Sequence, residues 1–146
     1  MQTDQTRVQN RTILVAEEDV LVRMSLTDYL RGCGYKVREA RSADEAIQLL
    51  DDGRISVDVV ISSIELAGDG FGIAKWLREH RPDLQLHLTG STKRAVEVAA
   101  SLCEGGPLPA PYNAQILHRR ILRLIGGRQH RPHEGQRTVA WKASER

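Results

Sequence analysis

The stretch DVVISSIELAGDG, Asp58 to Gly70, decides how this chain folds. Val57 to Ile61 is almost wholly apolar and β-branched, the pattern of a strand buried on both faces. The run stops at Ser62 and Ser63 and passes into a loop punctuated by Gly68 and Gly70. A strand covered on both sides needs helices above and below it. The flanking sequence should therefore alternate between strand and helix patterns.

It does. Thr12–Ala16 is a short apolar run ending in the acidic cluster Glu17, Glu18, Asp19. Leu21, Val22, Met24, Leu26 and Leu30 then recur at helical spacing, and Gly32 and Gly34 end that helix. Tyr35–Ala40 reads as an edge-like strand. Ser42 with Glu45 three residues later forms a capping box, opening a helix closed by Asp51, Asp52 and Gly53. Past the loop, Phe71–His80 is a helix stopped by Pro82. Leu84–Gly90 is a fourth strand, interrupted by polar Gln85 and His87. Thr92–Gly106 is a helix of small residues with a Gly-Gly stop, and Pro107–Tyr112 is a short strand-like piece. Asn113 caps a last helix, Ala114 to Ile125.

Five strand–helix repeats imply an α/β fold: parallel strands, right-handed crossovers and helices on both faces. One domain is expected over residues 11–126, between a flexible N-terminal segment, 1–10, and a basic flexible tail, 127–146. In such sheets ligands bind beyond the carboxyl ends of the strands. Glu17 and Glu18, Ser63, Thr89 and Ala110 stand just past strands one, three, four and five, and should converge on one pocket.

Composition narrows the function. The chain has 146 residues, 40% hydrophobic and 27% charged, ordinary for a soluble domain with a core. No apolar run approaches the roughly 20 residues of a membrane span. Cys33 and Cys103, far apart, suggest neither a disulfide framework nor a metal site, so a reduced, cytoplasmic protein is expected. The net charge of +2 hides an asymmetry: Leu117–Arg146 holds eight Lys/Arg against two acids. Such a tail meets nucleic acid or acidic surfaces in some proteins, but a mobile solubilising terminus is the plainer reading. His87 reads as a satisfied core histidine, Trp76 as core or helix surface, and Trp141 as an exposed tail residue or a docking anchor.

The runs ILVAEEDVLVRMSLTDYLRGCGYKVREARSADEAI, DVVISSIELAGDGFGIAKWLR, LTG and LPAPYN, with their order and spacing, resemble the receiver (CheY-like) domain of two-component response regulators. The resemblance covers Arg11 to Ile125. It implies a doubly wound (βα)5, flavodoxin-like three-layer sandwich with strand order 2-1-3-4-5. In that family an acidic pair after strand one helps hold magnesium, and Glu17 and Glu18 match it. The phosphoryl-accepting aspartate falls on Ser63. The hydroxyl residue after strand four matches Thr89. The lysine before a proline after strand five falls on Ala110, the aromatic switch residue on Pro107, and a proline four past the acceptor on Ala67.

The resemblance therefore implies a receiver without its central chemistry. Phosphoryl transfer to aspartate relies on positioning and on charge neutralisation by metal and lysine. A serine hydroxyl is neutral near pH 7, and the matched set holds no base to activate it. No catalytic activity and no cofactor are expected beyond weak magnesium binding at Glu17 and Glu18, which read equally as a solvated acidic turn. Thr89 reads either as a strand-end hydrogen bonder or as a ligand sensor. The expected function is a stand-alone, degenerate receiver acting as a phosphorylation-independent protein-interaction module. Its partners would be a sensor histidine kinase or another two-component protein, or a second copy through the face of the fourth helix, fifth strand and fifth helix. That face carries Lys93, Arg94, Arg119, Arg120 and Arg123. The alternatives are an ordinary phospho-accepting regulator inactivated at Ser63 and Ala110, and nucleic-acid contact through the basic tail.

Overall fold

The computed structural model describes residues 11–66 and 70–130. Ala67, Trp141, the segment 1–10 and the tail from residue 131 lie outside them. The elements in order are β1 (Thr12–Ala16), α1 (Val20–Gly32), β2 (Lys36–Ala40), α2 (Ala43–Asp51), β3 (Val59–Ser63), α3 (Gly70–His80), β4 (Gln85–Thr89), α4 (Thr92–Glu104) and α5 (Ala114–His130). All strand pairs are parallel, with Ile13 facing Val37 and Val59 across the central strand and Ile61 facing His87. The α/β architecture with helices on both faces is as expected.

The helix starts follow the predicted chemistry. Ser42 Oγ accepts from the Glu45 amide at 3.1 Å, and Glu45 Oε1 accepts from the Arg41 amide at 2.8 Å. Asn113 Oδ1 accepts from the Ile116 amide at 2.9 Å. Each cap satisfies an amide the helix itself leaves orphaned. The strand β3 starts later than its apolar run and extends through both serines, because Ser62 pairs with Leu88 and Ser63 with Thr89. The helix α5 continues through Gly126 and Gly127 to His130, five residues past its expected end.

The fifth strand is the main correction. Among the described residues the sheet has four strands, ordered β2-β1-β3-β4. Residues 105–113 form no ladder, and Pro107, Pro109 and Pro111 give a physical reason: each removes a donor that strand pairing needs. The segment instead seats on the C-terminal end of α1. A Cβ at Gly34, which has φ +95°, would lie 3.0 Å from Pro107, and one at Gly32 would lie 3.0 Å from Pro111. Leu108 donates to the Cys33 carbonyl at 2.9 Å, and Tyr29 Oη donates to the Tyr112 carbonyl at 2.9 Å.

Two cores result. Leu14, Val60, Ile73 and Leu77 are buried between the sheet and α2 and α3. Ile13, Ile61, Leu26, Leu30 and Ala99 fill the opposite face beneath α1 and α4, and Leu117 and Ile121 of α5 are fully buried with them. Burying a Leu or Ile side chain stabilises by about 2 kcal/mol, so these two residues anchor α5. The Cys33–Cys103 bond corrects the expectation of reduced cysteines too far apart to pair. The cysteines, 70 residues apart in sequence, form a disulfide because the end of α1 and the last turn of α4 lie side by side, with a Cα–Cα distance of 5.5 Å. Sequence separation carries no sign of that neighbourhood.

Candidate functional site

The carboxyl ends of β1, β3 and β4 open into a cleft of about 150 Å³ lined by Glu17, Asp19, Val22, Ser63, Glu65, Thr89 and Ile125, with the Gly90–Thr92 turn. Glu17, Ser63 and Thr89 thus meet as the sequence predicts. Glu18 is exposed and belongs to a shallower depression beside it, with Glu17, Asp19, Val20 and Glu65. Ala110 does not join them. Its neighbour Pro111 packs on Gly32, ten residues and so about 15 Å along α1 from Val22 in the cleft. A lysine at position 110 would stand at the wrong end of the fold to serve this cleft. Pro107, against Gly34, is equally remote.

The local hydrogen bonds show what each group is doing. The Glu17 amide donates to the Ala40 carbonyl at 2.9 Å, which continues the β1–β2 ladder. Its carboxylate accepts from the Asp19 amide at 2.9 Å. Asp19 Oδ1 in turn accepts from the Leu21 and Val22 amides, capping α1. Ser63 Oγ accepts from the Glu65 amide at 3.1 Å, so its hydroxyl closes the turn after β3. Thr89 is buried and its Oγ1 donates to the Ser62 carbonyl at 3.4 Å. Its hydroxyl acts as a strand-end hydrogen bonder.

This donor set does not fit magnesium. That ion demands near-octahedral oxygen coordination with carboxylates converging on it. The Glu17 and Asp19 carboxylates are engaged with backbone amides, Glu65 is exposed at the turn after β3, Glu18 lies outside the cleft, and Ser63 contributes a neutral oxygen. Among the described residues no three His, Cys, Asp or Glu side chains converge as metal ligands would. Sequence reasoning missed Asp19 and Glu65 as lining residues. An Asp directly before a helical pattern is itself a cap signal, which would have placed Asp19 at the mouth of the cleft.

Burial, the largest influence, pushes the Glu17 carboxyl above its ordinary value, although the Asp19 amide opposes this. A raised folded-state pKa means the ionised form is disfavoured by folding, so the associated stability is present at acid pH and lost as pH rises through that pKa. Glu17→Gln keeps an oxygen for the Asp19 amide and removes the buried charge. In metal-free buffer its melting temperature should exceed the parent's at pH 7, and the gap should close on acidification to about pH 4. Thermal melts across that range check it.

The five cations singled out from the sequence, Lys93, Arg94, Arg119, Arg120 and Arg123, are all exposed. They lie on α4 and α5, which pack side by side without a strand between them. Arg94 pairs with Glu97 at 3.5 Å, and the Arg120 guanidinium lies 5.0 Å over the Tyr112 ring. Across the sheet, Trp76 is half-buried against the α2–α3 core and stacks on His80 at 4.6 Å. His87 is half-buried on β4. Burial, then the charge of Arg94, holds its pKa below the ordinary imidazole value, and its Nε2 lies 2.8 Å from the side-chain Nε2 of Gln85.

No described helix is long and apolar enough to cross a membrane. Residues 13–106 match the response regulator receiver domain family, and the match ends at the start of the proline-rich departure. The chain is 30% identical over 128 residues to the response regulator MprA of Mycobacterium sp. (strain KMS), covering 84% of this chain and 53% of that protein. It is 29% identical over 119 residues to the sensor kinase CckA of Brucella abortus, covering 78% of this chain and 12% of the kinase. The chain thus spans about half or less of the length of these curated relatives. Among solved structures, a CheY-like receiver domain protein from Methanospirillum hungatei superposes with a TM-score of 0.53 at 18% identity, over 84% of this chain and 99% of that one. A putative response regulator from Chloroflexus aurantiacus gives 0.52 at 28% identity, over 80% and 98%. The chain belongs to the response regulator receiver domain family, a domain of two-component signalling proteins.

Proposed function

We propose that this receiver is a protein-interaction module whose output does not depend on phosphorylation, and that it docks an acidic surface of another two-component protein through α4 and α5. The observation that carries the first half is the end of β3. Ser63 stands where the fold would present an acceptor carboxylate, and its hydroxyl is already engaged with the Glu65 amide. A neutral hydroxyl without a partner base is a poor nucleophile. The cleft around it holds Glu17, Asp19 and Glu65 and, among the described residues, no lysine or arginine lines it. The nearest cation, Arg23, is held on the Glu17 carbonyl and the Glu39 carboxylate, so an incoming phosphoryl group would meet carboxylates with no lysine or arginine of the lining to neutralise it.

The second half is supported by charge. Between Ala114 and His130 the chain has no acidic residue, and Arg119, Arg120 and Arg123 are exposed on α5 beside Lys93 and Arg94 of α4. Such a patch steers an acidic partner and disfavours a basic one. Amide hydrogen exchange of the full chain, with and without a small acyl phosphate and magnesium, tests the reading. Exchange in α4 and α5 should be the same in both conditions. Slowed or quickened exchange there on adding the phosphodonor would show a working phospho-switch.

A further inference from the structure

The missing fifth strand leaves the outer edge of β4 without a ladder partner among the described residues. Bonding alternates along a parallel strand. The Gln85 amide and the Thr89 carbonyl bond toward β3, through Asp58 and Ile64, so the amides and carbonyls of Leu86 and Leu88 point outward. The strand sequence, QLHLT, holds no Lys, no Pro and no bulge. Those are the devices by which an exposed edge is normally protected from pairing. Gln85 is exposed, and Leu86, His87 and Leu88 are only half-buried. Among the described residues no backbone group bonds to the outward amides and carbonyls of Leu86 and Leu88.

The geometry points to a second copy of this chain as the occupant, with the two β4 strands pairing antiparallel about a two-fold axis at His87. This self-association surface differs from the α4–α5 face proposed above for a partner. In that register Leu86 stands opposite Leu88 of the other copy and Leu88 opposite its Leu86. Both are outward-bonding positions, so each pair exchanges two hydrogen bonds and four form in all. His87 meets its own counterpart as the non-bonded pair between them. The register is self-complementary without any residue moving.

Charge agrees. Gln85–Thr89 bears no charged side chain at neutral pH, so the paired strands themselves oppose no like charges, and Arg94, the cation beside His87 on the α4 side, is paired with Glu97. The α4–α5 face is the reverse case: juxtaposed with itself it would set Arg119, Arg120 and Arg123 against the same cations. Side chains suit the pairing as well. Leu86 packs toward the α2–α3 core, while its neighbour His87 faces the α4 side with Ile61 and Arg94. Cross-strand Leu86–Leu88 contacts would therefore extend one core across the junction, and the symmetry makes the interface closed.

The test is residue-resolved amide exchange together with light-scattering mass on the full chain over a wide concentration range. The expected result is a dimer at high concentration, with exchange at Leu86 and Leu88 slowed about tenfold or more as it forms. His87→Lys, which opposes two fixed charges on the axis, should abolish the dimer, and the neutral His87→Gln should keep it. Unchanged protection of the β1 amides would show that both variants fold. A monomer at all concentrations overturns the proposal, whether Leu86 and Leu88 exchange freely or are protected by the chain's own residues. So does a dimer in which those two amides exchange freely, since its interface then lies elsewhere.

Discussion

Replacing Ile121 by alanine should unfold this protein more readily than any change in the cleft, by about 3–4 kcal/mol. Ile121 is fully buried in the core on the α1–α4 side of the sheet, and α5 packs on α1 and α4. Among the described residues no fifth strand flanks α5, and Leu117 and Ile121 are fully buried where it packs on α1 and α4. Truncation at 121 removes three carbons from a packed site and leaves a cavity that the rigid α1–α4 pair fills poorly. Against a typical total stability of 5–15 kcal/mol, that loss lowers the melting temperature by roughly 10 °C or more. Denaturant titration gives the free energy directly. A loss under about 1 kcal/mol would mean that α5 is not seated as described.

Removing the Cys33–Cys103 link should have the next largest effect. It closes a loop of 70 residues, which spans β2, α2, β3, α3, β4 and nearly all of α4. Restricting so long a loop in the unfolded chain stabilises the folded one by about 4 kcal/mol in the chain-entropy model, and measured values are commonly 2–4. The Cys33→Ala/Cys103→Ala variant should therefore melt well below the parent. Reductant should bring the parent down to nearly the same temperature while leaving the variant unaffected. Identical melts of the parent with and without reductant would contradict the bond.

Much of this architecture was legible in the chain. The strand β1 and the starts of α1, α2, α4 and α5 were readable because their signals are local: an apolar run, a helical pattern, or a cap at Ser42 or Asn113. The polar residues in β4 were also visible, yet their meaning was not. Gln85 and His87 interrupt that strand because it is an edge, and its being an edge depends on a segment twenty residues later failing to pair. The short PLPAPY run has strand length but three prolines, and its packing on Gly32 and Gly34 is a long-range fit no local pattern reports. The disulfide was hidden for the same reason. In the cleft, Glu17, Ser63 and Thr89 converge as the strand-end rule anticipates, because that rule depends only on parallel topology. Ala110 was misplaced because the rule was applied to a strand that does not form.

The central claim is that the end of β3 offers no phosphoryl acceptor. Intact-mass measurement of the parent chain and of Ser63→Asp, each treated with a small acyl phosphate and magnesium, tests it most directly. The parent should emerge with its mass unchanged. The variant, with a carboxylate restored beside Glu17 and Thr89, is the sample in which a single phosphoryl adduct can form. An adduct in good yield on the parent, mapped to Ser63, would contradict the account.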